Sequence, residues 1–238
     1  MIALVPLKGF RNGKLRLSPV LNEESRGRLT SWMMERVLRS LQESRSVERI
    51  ILISKDRRAR SVAAAFGAET FAEKVEGLNS ALREAVAHLI QMRSGSDSAA
   101  RGTRTSEGRD PSAGAVDTVL IVPADLPLLT AKEVDEVAAL CDEKTPCVVA
   151  APSQRGEGTN ALLLHPPNVL TPSFGPDSFN RHRSHADVRK IPFRAVRSPR
   201  LGLDIDLPED LEALRRALGP EAREELSVFL ASGPVGSP

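Results

Sequence analysis

Short, nearly uninterrupted aliphatic runs at residues 2–7, 49–54, 118–125 and 147–153 alternate with longer stretches in which apolar side chains return every three or four positions. Runs of this length suit strands buried on both faces. Residues 22–42 carry Leu29, Met33, Val37 and Leu41 at the spacing of one helix face. Residues 57–66 are alanine-rich, and 78–92 repeat Leu82, Ala85, Val86 and Leu89. Strand-helix alternation implies right-handed crossovers, and hence an α/β chain with a mostly parallel central sheet flanked by helices.

The second half reads differently. Residues 160–165 and 190–196 predict strands around a polar segment, 173–188, expected to cover one end of the sheet. Residues 208–218 predict a helix with Pro208 in its first turn and Glu209 and Asp210 where the helix dipole favours anions. Residues 221–230 predict one more helix before a fraying tail. Residues 94–115 are Ser, Gly, Ala and charged side chains without a large apolar group to offset their ordering entropy, so a disordered surface loop is expected there. The expected organisation is a single domain over 1–218, carrying a disordered insertion at 94–115, followed by a C-terminal helix and flexible tail over 219–238.

Composition narrows the function classes. With 33 Lys and Arg against 31 Asp and Glu, the net charge is +2, which argues against a dedicated nucleic-acid binder. An aromatic content of 3% with no tyrosine gives little material for base-stacking or carbohydrate platforms. Cys141 and Cys147, the two cysteines, supply neither a disulfide framework nor a zinc ribbon. No apolar run approaches the roughly 20 residues a membrane helix needs, and Pro6 and Lys8 interrupt the N-terminal segment too early for a signal peptide. A cytoplasmic protein with no nucleic-acid or membrane partner is expected.

In an open parallel sheet, ligands bind beyond the carboxyl ends of strands, so the residues after each aliphatic run are the first to inspect. After the first run, Pro6 to Ser18 combine glycines for close backbone approach with Lys8, Arg11, Lys14 and Arg16, cations suited to a polyphosphate. No GxxxxGK[ST] is present, and a solvated surface turn fits these residues equally well. The third run delivers Asp125 between Pro123 and Pro127, with no opposite charge nearby in sequence. A divalent cation touching phosphates suits such a carboxylate, as would a turn cap. Asp204 and Asp206 lie two apart on an extended segment, so both face one side; we assign Asp204 as the metal ligand and Asp206 as a helix cap or outer support. Glycines and hydroxyls around Thr159 and over 173–182, with a helix start at Ser178, offer donors for a carboxylate or phosphate. His182 and His185 at i, i+3 lack a third ligand and read as solvated or substrate-facing histidines.

These stretches, LVPLKGFRNGKLRLSPVL, EGLNSALREA, VPADLPLL, GEGTNALLL, SFGPDSFNRH and LGLDIDLPEDL, taken in order resemble the CofC/FbiD family of guanylyltransferases of deazaflavin coenzyme F-420 biosynthesis, within the molybdenum-cofactor guanylyltransferase-like superfamily. The resemblance covers nearly the whole chain except 94–115 and the tail. It implies a Rossmann-like nucleotidyltransferase (GT-A-like) fold, magnesium, and transfer of GMP from GTP to a three-carbon phospho-acid with release of pyrophosphate. The acceptor would be phosphoenolpyruvate or 2-phospho-L-lactate, or a 3-phosphoglycerate-like acid. A downstream transferase of the pathway and a homodimer are the implied partners. By motif position, Pro6, Lys8, Gly9, Gly77 and Asn79 would bind the nucleotide, with Asn79 beside the base edge. Lys14 and Arg16 would clamp the triphosphate, and Asp125 and Asp204, with Asp206 at hand, would hold magnesium. Thr159, Gly175 and Ser178 would hold the acceptor. A long insertion at 94–115, and Leu207 where a threonine is frequent, depart from the family pattern.

Two alternatives frame this reading. A nucleotidyltransferase for a molybdopterin or sugar-phosphate acceptor should carry a GGxSxRMG first loop, where this chain has LKGFRNGKLRLS. A non-catalytic nucleotide-binding regulator would keep the strands and lose the carboxylates and lysines, which are present here.

Overall fold

The aliphatic runs become strands because each has a helix-covered layer on both sides. In the computed structural model, which describes residues 1–10, 13–72, 76–100, 118–142 and 144–231, the strands are β1 (Ile2–Pro6), β2 (Arg49–Ile53), β3 (Glu69–Phe71), β4 (Val119–Ile121), β5 (Cys147–Pro152), β6 (Thr159–His165) and β7 (Phe193–Ala195). They form one sheet in the order β3-β2-β1-β4-β6-β5-β7, parallel except for β6, which runs antiparallel to β4 and β5. The α/β, mostly parallel expectation holds.

The helices are α1 (Glu23–Glu43), α2 (Arg57–Ala65), α3 (Leu78–Ala100), α4 (Ala131–Ala139), α5 (Ser178–Val188), α6 (Pro199–Gly202), α7 (Pro208–Ala217) and α8 (Pro220–Ala231). Alternation of Cβ direction along β1 sends Ala3 and Val5 into a core with α1, α2 and α4, and Ile2 and Leu4 into a second core with α3 and α5. Within the polar segment 173–188, Phe179 and Ala186 of α5 are buried against the sheet. Helix α3 continues to Ala100, so 94–100, expected as loop, is helical backbone, and 101–115 lies outside the described residues. The expected tail at 232–238 also lies outside them. No described helix is long and apolar enough to cross a membrane.

The outer face of α1 carries a third cluster, in which Leu29, Trp32 and Met33 pack with Leu17, Ile205, Leu211, Leu214 and Leu226. This cluster seats the 203–207 segment and α8 on the same helix. Arg36, stacked 5.0 Å from the Trp32 ring centroid, donates Nε–H to Pro127 O at 2.8 Å, and Ser40 Oγ donates to Leu129 O at 2.7 Å. Helix α1 thereby fixes the loop after β4, which holds Asp125.

Leu226 is 1% exposed in the α1 cluster. Leu226→Ala is expected to lower the unfolding free energy by about 2–4 kcal/mol, the usual range for a buried leucine, at unchanged m-value. Urea denaturation checks it; a loss under about 0.5 kcal/mol would show that α8 does not share the core.

Candidate active site

A cleft of about 480 Å³ opens beyond the carboxyl ends of β1 and β4, lined by Pro6, Lys8, Gly9, Lys14, Arg16, Leu78, Asp125 and Asp206 among others. Its floor depends on one glycine. Gly9 has φ 125°, and a Cβ there would lie 3.0 Å from Asp56 Oδ2, the atom that accepts the Phe10 N–H at 2.9 Å. Asp56 also caps α2 through Oδ1, so the loop after β1 is tied to the start of that helix.

Lys14 is the centre of the cleft's charge. Its Nζ donates to Asp125 Oδ2 at 2.6 Å and to Asp206 Oδ1 at 2.7 Å, with the side chain only 9% exposed. The backbone there is left-handed, φ 55° and ψ 39°, an uncommon state for a residue with a Cβ. Burial alone would lower the lysine pKa; Asp125 and then Asp206 outweigh it and hold the ammonium above its ordinary range. Burial likewise opposes ionisation of Asp206, but Lys14, with Arg16 and Arg155 beyond it, holds that carboxyl below the usual range.

Asp204 behaves oppositely. Burial and then the charge of Asp125 raise its pKa, and the contact from Asn160 offsets only part of this. Asn160 Nδ2 donates to Leu201 O, Gly202 O and Asp204 Oδ1 at 2.9, 3.0 and 3.3 Å, setting the path of the chain into the carboxylate pair. Ile205 N–H donates to Asp125 O at 3.3 Å and joins that segment to the β4 loop. Asp206 does not cap α7. Asp210 does so, its Oδ2 accepting the backbone N–H groups of Asp206 and Leu207 at 3.0 and 2.8 Å, because the Asp206 carboxylate is committed to Lys14. Asp125, with no opposite charge nearby in sequence, is paired across the fold with Lys14.

Among the described residues, no group of three or more His, Cys, Asp or Glu side chains is arranged to hold a metal ion, so Asp125, Asp204 and Asp206 do not form a ready-made cage. Two of them nevertheless converge on a single cationic atom, and the third carries a pKa raised partly by Asp125. Magnesium typically takes one or two protein carboxylates and completes its shell with water and phosphate oxygens, so this donor set fits the ion.

Thr159, Gly175 and Ser178 are not among the lining residues of this cleft; they meet on the α5 side of β6, at the same end of the sheet. Ser178 Oγ lies 3.0 Å from Thr159 Oγ1, and Gly175, φ 121°, accepts the Ser178 N–H at 3.1 Å. His182 is not solvated: it is fully enclosed, bonded to Thr159 and to the backbone of Ser173, while His185 is exposed. Asn79 engages Phe174 with both ends of its amide. Its Nδ2 donates to Phe174 O at 2.9 Å and its Oδ1 accepts the Phe174 N–H at 2.7 Å, clasping the 173–178 turn to the start of α3. Gly77, φ 103°, opens that helix by accepting the N–H groups of Ser80 and Ala81, and Leu78 rather than Gly77 reaches the cleft.

The chain matches the guanylyl transferase CofC-like family over residues 1–93 and 112–226. It is 37% identical over 213 residues to a phosphoenolpyruvate guanylyltransferase of Sphaerobacter thermophilus, covering 90% of this chain and 91% of the relative. A protein of the same name from Rubrobacter xylanophilus is 36% identical, with 94% and 97% covered, and a 2-phospho-L-lactate guanylyltransferase of Methanosphaera stadtmanae 28% identical, with 89% and 82% covered. In fold, the chain is similar to a nucleotidyl transferase of Methanothermobacter, TM-score 0.56 at 13% identity over 95% of this chain and 98% of that one. A 4-diphosphocytidyl-2C-methyl-D-erythritol synthase gives TM-score 0.56 at 14% identity, with 90% and 96% covered.

Burial, then Arg181 and His185, hold the His182 pKa down at about 4, against an ordinary 6.5. Between those values the unfolded chain binds a proton that the folded chain refuses, so this residue's contribution to stability falls as the pH falls. The loss is on the order of 2–3 kcal/mol by pH 4.5. Thermal melts of the wild type and His182→Gln at pH 7 and 4.5 check it: the wild type's advantage should shrink on acidification. A pH-independent difference would contradict it.

Proposed function

Because the chain belongs to the CofC-like guanylyl transferase family, we propose that it transfers the GMP moiety of GTP to phosphoenolpyruvate, with 2-phospho-L-lactate as the alternative acceptor, in the biosynthesis of deazaflavin coenzyme F-420. The observation that carries the choice of acceptor is that the relatives at 36% and 37% identity bear the phosphoenolpyruvate name, over nine-tenths or more of this chain. The product is a mixed anhydride, an activated phospho-acid suited to a transferase that displaces GMP from it.

In this reaction an oxygen of the acceptor phosphate attacks the α-phosphorus of GTP, the bond to the α–β bridging oxygen breaks, and pyrophosphate leaves. The nucleophile is already anionic, so no general base is required, and catalysis reduces to alignment and charge neutralisation. Lys8 and Arg16 line the cleft where the polyphosphate would lie, and Gly9 permits close backbone approach. Asp125 and Asp204, with Asp206 beside them, are the residues that would hold magnesium, whose chemistry is to neutralise charge between the α-phosphate and the acceptor. Lys14, which balances Asp125 and Asp206 in this structure, and Arg16 would stabilise the departing pyrophosphate.

Pyrophosphate release by pure protein with magnesium, each acceptor and either GTP or ATP tests the reading. Turnover is expected with GTP and phosphoenolpyruvate, and equal rates with ATP would contradict it. Asp125→Asn and Asp204→Asn should each lower turnover by about 100-fold or more, the scale of a lost electrostatic contact in the transition state. Asp206→Asn should fall between these and the wild type, since it still offers Lys14 an amide oxygen. Full activity in either of the first two would remove them from the proposed metal site.

A further inference from the structure

The hydrogens around Thr159 can be counted. The Ser173 backbone N–H lies 2.9 Å from His182 Nε2, and a backbone amide only donates, so Nε2 accepts. The neutral ring therefore carries its hydrogen on Nδ1, which lies 3.1 Å from Thr159 Oγ1 and donates to it. Ser178 Oγ, 3.0 Å from the same oxygen, donates to its other lone pair. Both lone pairs of Thr159 are then occupied, and its own hydroxyl hydrogen has no acceptor among the described residues. Were the two hydroxyls to exchange roles, Ser178 would hold the surplus hydrogen, but Ser178 has no exposed surface and Thr159 retains 5%.

Several features hold this arrangement in place. Arg181 grips Ser173 through Nε to Oγ and Nη2 to the carbonyl oxygen, at 3.2 and 3.0 Å, and Asn79 clasps the next residue from both sides. The Phe174 ring meets His182 edge-on, centroids 5.5 Å apart. On the strand side, the ladder between β5 and β6 pairs Ala151 with Ala161 but Pro152 with Thr159, leaving Asn160 as an extra residue. That bulge turns Thr159 to the α5 face; strict alternation would have placed it with Ala161 and Leu163, on the α1 and α4 side.

We propose that His182 is a positioning residue for the acceptor substrate: by presenting Nδ1–H to Thr159 it turns the threonine hydroxyl hydrogen outward, toward an anionic oxygen of the phospho-acid. The proposal rests on the reading that Thr159 faces the acceptor. The opposite tautomer would draw the threonine hydrogen inward and aim a lone pair at an anion. His182 acts through Thr159 as a neutral group and adds no charge of its own.

The test uses the full chain, with GTP saturating and phosphoenolpyruvate varied, in Thr159→Val, Thr159→Ser, His182→Phe, His182→Gln and the Thr159→Val/His182→Phe double variant. His182→Phe and Thr159→Val should each raise the acceptor KM about tenfold, the scale of one hydrogen bond to a charged group, and leave the KM for GTP within about twofold. The double variant should be no worse than either single. Thr159→Ser should stay near the wild type, and His182→Gln, whose amide can both donate and accept, should recover part of the loss. Histidine ¹⁵N spectra of the wild type should show a neutral, Nδ1-protonated His182 at pH 7. An Nε2-protonated ring, additive losses in the double variant, or an unchanged acceptor KM in a folded His182→Phe would each overturn the proposal. If His182→Phe does not fold, His182→Gln and the spectra decide in the same way. An unchanged acceptor KM in Thr159→Val would instead reject the acceptor-site reading itself.

Discussion

The ammonium of Lys14 joins three segments that are far apart in sequence. It sits 111 positions from Asp125 and 192 from Asp206, at hydrogen-bond distance from both, with almost no exposure. The ammonium is almost out of water while Asp125 and Asp206 keep 28% and 40% of their side-chain exposure, so losing these partners would leave a buried cation uncompensated. The loop after β1, the loop after β4 and the 203–207 segment are therefore held in one arrangement by mutual neutralisation. The hydrophobic cluster on the outer face of α1 brings these segments together, and the charges determine how they meet. The cleft thus folds around a cation the protein supplies for itself.

The frame of the fold was legible because strands buried on both faces must be aliphatic. β1, β2 and β5 coincide with the expected runs to within a residue at either end. β3 was not legible because Glu69–Phe71 is a short edge strand with little buried surface and so no aliphatic signature. Helix α4 was overlooked although Thr130 and Glu133 form a capping pair, Thr130 N–H donating to Glu133 Oε2 at 3.1 Å, a signal that the spacing T-x-x-E carries in the sequence. At 94–100, composition argued for disorder, yet the helix begun at Leu78 propagates through it.

The site was legible in its carboxylates and less so in its partnerships. Asp125, Asp204 and Asp206 follow aliphatic positions near the sheet's carboxyl edge, which is where ligand chemistry in this architecture lies. That Lys14 would join two of them depends on long-range packing, which local spacing does not encode. Asp210, three residues into α7 from Leu207, reaches back to the Leu207 N–H, while Asp206, one residue ahead of Leu207, turns its carboxylate to Lys14. Asn79, expected beside a base edge, and His182, expected to be solvated or substrate-facing, bond within the protein to Phe174, Ser173 and Thr159, partners that local spacing does not encode.

The extra residue in β6 has a consequence for how this chain can vary in length. Thr159 and Asn160 are neighbours, yet one meets His182 and the other holds Asp204, a division that ordinary strand alternation would distribute differently. Regularising the ladder without changing a single residue type would put Asn160 opposite Pro152 and send Thr159 into the opposite core. The family match passes over residues 94–111 and resumes beyond them, so added length at that point leaves the rest of the chain in step. At the start of β6, one added or lost residue would exchange the groups that meet His182 and Asp204. What descent has to preserve there is the count of residues as much as their identity.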